Sequence, residues 1–237
     1  MRIERVGSAD VLMTTAADVL MFNRVAGLGI DEPATEDELD EAIGRFHSAG
    51  VPRFFVDVSP AARPIHLSDW VMGRGLAIHN NYVKLTREVD RVPVAPTFAR
   101  IQEIGAEHAE AFGKIIRSVF DLPEAMSGWA ASLVGRPRRR CFMAFDRDKP
   151  IGTAAMYFDG EWDEFGYAAV IPEARGRNLQ SALIATRIRA ARESGCRWVS
   201  METAEETLEK PSYSLRNARK MGFEVAYLRP NYLGKTG

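Results

Sequence analysis

The residues with the most chemical content form a short basic turn. The segment reads Val170-Ile171-Pro172-Glu173-Ala174-Arg175-Gly176-Arg177-Asn178-Leu179-Gln180-Ser181-Ala182-Leu183. An apolar strand ends at Val170, and an apolar-periodic helix starts near Leu179. A helix N-terminus carries unpaired backbone N–H groups and the positive end of the helix dipole. With Arg175 and Arg177 beside it, such a turn suits a pyrophosphate. Just upstream, Glu161, Asp163 and Glu164 lie on the strand that leads into the turn. A carboxylate within reach of an amine can take its proton, directly or through one water. Period-two alternation puts Glu164 on a face with Trp162, Gly166 and Ala168, and Asp163 on the other face with Phe165, Tyr167 and Ala169. Glu202 sits inside a later apolar run, where an acid needs a partner or a role. These residues offer phosphate recognition next to proton transfer.

The elements that must position them can be read from periodicity. Glu88–Thr97 carries two prolines and no helical period, and it reads as a linker. It divides the chain into regions 1–95 and 96–237. After it, Ile104–Val119 has apolar residues at helical spacing, and Pro123 opens a second helix to about Val134. Cys141–Phe145, Ile151–Phe158 and Trp162–Val170, separated by Asp/Gly/Lys turns, read as an antiparallel meander. A helix Leu179–Glu193 closes at Gly195. A strand Arg197–Thr203, a helix Ser214–Met221 ended by Gly222, and a strand Phe223–Leu228 complete the order ααβββαβαβ.

Region 1–95 is a worn, partial echo of this second half. Ala49-Gly50-Val51-Pro52-Arg53-Phe54-Phe55-Val56-Asp57-Val58 parallels Ser194-Gly195-Cys196-Arg197-Trp198-Val199-Ser200-Met201-Glu202-Thr203. Trp70–Leu76 and Ala218–Phe223 both end a helix at glycine before a large apolar residue. Where the second copy has its basic turn, the first has the acidic Gly27-Leu28-Gly29-Ile30-Asp31-Glu32-Pro33, which repels a pyrophosphate. The first copy therefore reads as a structural, substrate-shaping module.

The basic turn, set between a strand and an apolar helix and downstream of a meander, resembles the acyl-CoA-binding loop of the GNAT N-acetyltransferase superfamily. The element order is also that of the superfamily. The resemblance covers about residues 98–230, and the whole chain looks like a tandem GNAT with one live site. It implies an α/β (α+β) fold with a mixed, mostly antiparallel sheet flanked by helices. It also implies an enzyme that moves an acyl group, acetyl from acetyl-CoA, to a primary amine by direct attack in a ternary complex, with no metal. The superfamily motif is Arg or Gln, two residues, Gly, one residue, then Gly or Ala. Arg175 fills the first place, and Gly176, Arg177, Leu179 and Ser181 complete the loop. Asn178 and Gln180 replace the glycines. Asn best tolerates positive φ among other residues, so Asn178 can keep the turn. Gln180 stands where backbone approaches phosphate, so its side chain must turn away or bond the cofactor.

In such folds the third meander strand and the next strand splay apart. Backbone groups of Ala168, Ala169 and Val170 would then pair with the pantetheine arm. A backbone N–H there would stabilise charge on the thioester oxygen. Members of the family often carry a glutamate near Glu164, which is therefore the expected base, with Glu202 the alternative. Many members place a tyrosine four residues before the Gly-Phe pair, but here that residue is Ala218. Ser214-Leu215-Arg216-Asn217 resembles the Ser-x-x-Asn variant, in which Asn217 binds the pantetheine or thiolate side. Tyr213, Tyr227 or Tyr232 could supply a hydroxyl. The substituted glycines and the absent tyrosine also fit a non-catalytic acyl-CoA-binding or protein-interaction module.

Composition sets outer limits. The chain has 237 residues, 46% hydrophobic and 27% charged, with a formal charge of −1. That near-neutral balance gives no global electrostatic case for nucleic acid or an anionic membrane. Cys141 and Cys196 lie in apolar runs and read as buried thiols, so a cytoplasmic setting is expected. The run Val11–Phe22 is short and contains Asp18, so it does not read as a membrane span. His47, His66, His79 and His108 lack metal-ligand spacing. The expected partner is a small-molecule or peptide amine, and the family resemblance makes a homodimer a further expectation.

Overall fold

A computed structural model describes residues 1–236, apart from the side chain of Ser127. The elements in chain order are β1 (Arg2–Val6), β2 (Ala9–Met13), β3 (Arg24–Ala26), α1 (Glu36–Ala49), β4 (Arg53–Asp57), α2 (Leu67–Gly73) and β5 (Ala77–Glu88). Then follow β6 (Arg100–Glu103), α3 (Ala109–Val119), α4 (Ser127–Ala131), β7 (Arg139–Asp146), β8 (Lys149–Asp159), β9 (Trp162–Val170), α5 (Leu179–Glu193), β10 (Trp198–Ala204), α6 (Tyr213–Lys220) and β11 (Glu224–Lys235). The chain divides into two compact units. One is Met1–Val83 with Tyr227–Gly237, and the other is Lys84–Ala226.

In the first unit β1, β2 and β3 form an antiparallel meander, and β4 runs parallel to β3. The other edge of β4 is closed by β11, antiparallel, with Asn231 opposite Asp57. The core lies under α1, where Leu39, Ala42 and Phe46 are buried. The Phe46 ring stacks on Phe54 at 4.3 Å. Gly234 of β11 passes so close to the Phe54 ring that a Cβ there would collide with it.

In the second unit β6, β7, β8 and β9 are antiparallel neighbours, and β10 runs parallel to β9. The strand beside β10 is β5. Helix α5 covers the sheet with Leu179 and Leu183, which pack on Ala144, Ile151 and Ala154. Helix α3 buries Phe112, Ile115 and Ile116. Its Gly113 lets α4 approach, since a Cβ there would stand 3.0 Å from the Ala131 nitrogen.

The pattern of each half is thus meander, helix, parallel strand, helix, strand. Gly50, Gly75, Gly195 and Gly222 all adopt positive φ at helix ends. β9 and α5 have the bounds expected from periodicity. Other elements differ. Strand β6 was not expected, because Ile104 reads as a helical residue; its N–H instead bonds the Cys141 carbonyl and continues the strand edge. The next helix begins only at Ala109, after a 3-10 turn over Ala106–His108. Helix α4 ends at Ala131 instead of about Val134, ahead of the positive-φ Gly135. β11 runs on to Lys235 because β4 gives it a partner along that length. The units part inside β5 and β11, at Val83 and Ala226, whereas the linker places a boundary at 95/96.

Candidate functional site

The site is built where β9 and β10 part. Their pairing runs from Trp162 opposite Trp198 to Phe165 opposite Met201 and stops there. Farther along, Ala169 and Val170 pair only with Thr153 and Gly152 of β8 among the described pairings. One edge of β9 is therefore open over the residues expected to meet a pantetheine arm: Ala168, Ala169 and Val170. Ala169 is buried, and Ala168 and Val170 are half-buried.

The same stretch is irregular. The β8–β9 register shifts between Thr153 and Ala155, and Tyr167 takes φ 49°. A bulge of this kind leaves backbone groups out of the ladder and redirects them. Sequence alternation gave no sign of it. The Trp129 indole of α4 meets the Tyr167 ring edge-on at 5.2 Å, so it flanks the bulge.

Two carboxylates share the face at the mouth of the opening. Glu164 on β9 sits opposite Ser200 on β10, and Glu202 lies two residues beyond Ser200. The Ser200 hydroxyl donates to one Glu164 oxygen. Lys84 Nζ from β5 donates to Glu164 Oε1 at 3.3 Å and to Glu202 Oε2 at 3.3 Å. The side chains of Glu164, Glu202 and Lys84 are 41%, 28% and 18% exposed, so water reaches all three. One cation thus bridges the two acids beside the open edge. The sequence singled out both acids. It missed Lys84, which lies in the half set apart by the linker.

On the opposite face Asp163 is fully buried, and burial pushes its carboxyl up to about 7, opposed by the positive charge of Arg187. It is not at the open face with Glu164. Burial also pushes the Cys141 thiol up to about 11 and raises that of Cys196, so neither is an activated nucleophile.

The basic turn lies at the other end of the opening. Arg175, Gly176, Arg177 and Asn178 are all exposed. Gly176 has φ 74°, with open space where a Cβ would be. Asn178 takes the left-handed conformation, φ 59° and ψ 11°, as its chemistry allows, and makes no side-chain cap on α5. Its amide donates instead to the Pro96 carbonyl at 2.9 Å, so the linker steadies the turn. Gln180 also turns away from the turn. Its amide nitrogen donates to Ser214 Oγ at 3.0 Å, and its oxygen accepts from Asn217 Nδ2 at 2.7 Å. Both residues that replace glycine therefore keep their side chains off the α5 N-terminus, and Asn217 reaches the site through Gln180. Leu179 and Ser181 are buried and can offer a ligand only their backbone. Arg175 Nε donates to the Val170 carbonyl at 3.2 Å. Arg177 stacks on Phe98 at 3.4 Å and lies 4.0 Å from Asp146. An exposed, uncapped helix start with two flanking guanidiniums fits a pyrophosphate.

Neither of the other charged features competes. In the run 136–140, Arg138 pairs with Asp159, Arg140 with Glu103 at 2.6 Å, and Arg136 bonds the Ser132 carbonyl at 2.6 Å. In the first unit, α1 is self-capped by Thr35 and Glu38, and Glu36, Asp37 and Glu38 crowd its first turn. Where Ser200 faces Glu164, Phe55 faces Arg24. Arg24 Nη2 sits 2.8 Å from the buried Asp57, the counterpart of Glu202 in the repeat, and closes that position with an ion pair.

The sequence pattern of the acetyltransferase (GNAT) family matches residues 105–223, the stretch that holds β9, the basic turn, α5, β10 and α6. No curated protein matches the sequence. The fold is similar over the full chain to a solved GCN5-related N-acetyltransferase from Kribbella flavida, with a TM-score of 0.73, 19% identity, and coverage of 100% of this chain and 90% of that one. It is similar to a tandem GNAT protein from the clavulanic acid biosynthesis pathway, with a TM-score of 0.66, 16% identity, and coverage of 97% and 78%. A functionally unknown conserved protein from Staphylococcus epidermidis gives a TM-score of 0.65 at 8% identity, with coverage of 98% and 92%. At such identities the structural likeness speaks for the fold, while the sequence match speaks for descent. The splayed strand pair and the basic turn fall within the matched half, and the chain belongs to the acetyltransferase (GNAT) family.

Proposed function

We propose that this chain is an acyl-CoA-dependent N-acyltransferase that moves acetyl from acetyl-CoA to a primary amine of a small molecule or peptide by direct attack in a ternary complex. The observation that carries the reading is the open edge of β9, with the uncapped α5 turn at one end and Glu164 and Glu202 at the other. Arg175, Arg177 and the first N–H groups of α5 would hold the pyrophosphate. Ala168, Ala169 and Val170 would pair with the pantetheine through their backbone. Bound acetyl-CoA supplies the acetyl group already activated as a thioester.

The chain's own residues then do three things. Backbone N–H groups at the bulge donate to the carbonyl oxygen as it gains charge, a contribution often among the largest in acyl transfer. Glu164 takes the amine proton, directly or through one water, while Ser200 and Lys84 orient it. The two carboxylates at the mouth would receive the amine. Ala218 offers no hydroxyl to a departing thiolate, whose pKa of about 8.5 lets water protonate it. Residues 1–95 serve as a structural and substrate-shaping module. The second reading, an acyl-CoA-binding module without turnover, is favoured by Ala218 alone.

The test is calorimetric titration with acetyl-CoA and CoA, followed by an amine screen for thiol release. Micromolar binding and thiol release are expected, and R175E/R177E should abolish binding while leaving the melting curve in place. Unchanged affinity in that folded double variant would remove the pyrophosphate site. Binding without release for any amine would favour the non-catalytic module.

A further inference from the structure

We infer that Arg187 and Thr153 are positioning residues that set the direction of the backbone N–H groups at the β9 bulge. The inference rests on the acyl-CoA reading above. Arg187 is 1% exposed in the interior of α5. Arginine is almost never so buried unless it is paired. Its Nη1 donates to the Ala155 carbonyl at 3.2 Å and to the Gly166 carbonyl at 3.5 Å, and its Nε bonds the Leu183 carbonyl at 3.2 Å. The guanidinium lies over the Phe165 ring at 4.4 Å, with Asp163 in electrostatic reach. Ala155 and Gly166 are the paired residues at one side of the register shift. Thr153 stands at the other side, and its hydroxyl donates to the Tyr167 carbonyl at 3.3 Å.

The consequence follows from peptide geometry. A trans peptide unit is planar, and its C=O and N–H point in opposite directions. Holding the Gly166 oxygen therefore fixes the N–H of Tyr167. Holding the Tyr167 oxygen fixes the N–H of Ala168. Both carbonyls are held, so both N–H groups are turned away from their holders. Without these two donors the Gly166 and Tyr167 carbonyls would lose the side-chain bonds that aim them. Asp163, within electrostatic reach, favours the charged form of the guanidinium against the cost of its burial. Neither Arg187 nor Thr153 touches substrate; both act through the backbone of β9.

The test compares two ligands that differ by the acetylthio group. Acetyl-CoA carries the thioester oxygen, and desulfo-CoA lacks it. Both are titrated calorimetrically against the full chain, R187M/D163N and T153V. In the unsubstituted chain acetyl-CoA should bind more tightly. In each variant that preference should narrow by about two- to tenfold, the worth of one hydrogen bond, while desulfo-CoA affinity falls by less than acetyl-CoA affinity. A purely structural role would leave the ratio alone. An unchanged ratio in either folded variant overturns the inference, as does equal binding of the two ligands to the unsubstituted chain. If R187M/D163N fails to fold, T153V decides, since it removes one hydroxyl and no charge. If the unsubstituted chain binds neither ligand, the acyl-CoA reading fails first and takes the inference with it.

Discussion

Lys84 governs what the two acids at the mouth can do. It bridges Glu164 and Glu202 at 3.3 Å each, and the Ser200 hydroxyl donates to the other oxygen of Glu164. Glu164 is thus held at both oxygens. Removing a general base costs roughly 10²- to 10⁴-fold in rate. E164Q should therefore lower kcat by about that factor with acetyl-CoA affinity unchanged, and E202Q should lower it by less. Steady-state kinetics with the best amine from the screen measures both, and the reverse ranking would move the base to Glu202. At this scale much was legible. Alternation placed Glu164 and Asp163 on opposite faces, as found, because period two is a property of the strand itself. Lys84 was not legible, since its proximity to Glu202 depends on which strand lies beside β10. Arg187 carries a signal in the sequence: it follows Leu183 by one helical turn, on the buried stripe of α5.

Among the elements, the turn before α5 shows how a departure from pattern can preserve geometry. Asn178 occupies a glycine position of the family motif and still reaches φ 59°. The tolerance of Asn for left-handed backbone made this readable from residue type. Its bond to Pro96 was not readable, because it joins residues far apart in sequence. A β-branched residue at 178 faces a left-handed penalty of roughly 1–2 kcal/mol. N178V should therefore lower the melting temperature and weaken CoA binding together, while N178G costs less on both measures. Thermal melts with and without CoA check this, and equal effects of the two substitutions would show that the Pro96 bond, rather than backbone conformation, holds the turn. The bulge in β9 was invisible to periodicity for a related reason. It adds a residue, so beyond Tyr167 the faces exchange: Ala169 shares the face of Glu164, while Ala168 and Val170 pack toward Leu179 and Leu183, against the simple alternation.

For the molecule as a whole, the last strand of each half lies in or beside the unit built by the other half. β11 closes β4 in the first unit, and the end of β5 lies beside β10 in the second. Apolar runs announce strands but not their neighbours, so the linker at 88–97 marks a boundary in sequence while the compact units part at Val83 and Ala226. A fragment of residues 96–237 should fail to fold cooperatively, because it lacks the β5 residues beside β10 and leaves β11 without β4. Circular dichroism melts of the fragment against the full chain check this. A sharp transition in the fragment would restore the boundary at 95/96. No helix among the described residues is long and apolar enough to cross a membrane.

This exchange has a bearing on how the first half can change over time. A duplicated copy that has lost its own phosphate loop would ordinarily be free to decay. Here it still supplies Lys84, which by position in the chain belongs to the first copy and by contact to the second. Loss of β5 in the first half would withdraw a charge from beside Glu164 and Glu202 in the second. The two halves therefore share a single fate, as two subunits of an interlocked pair would, but with one chain to inherit.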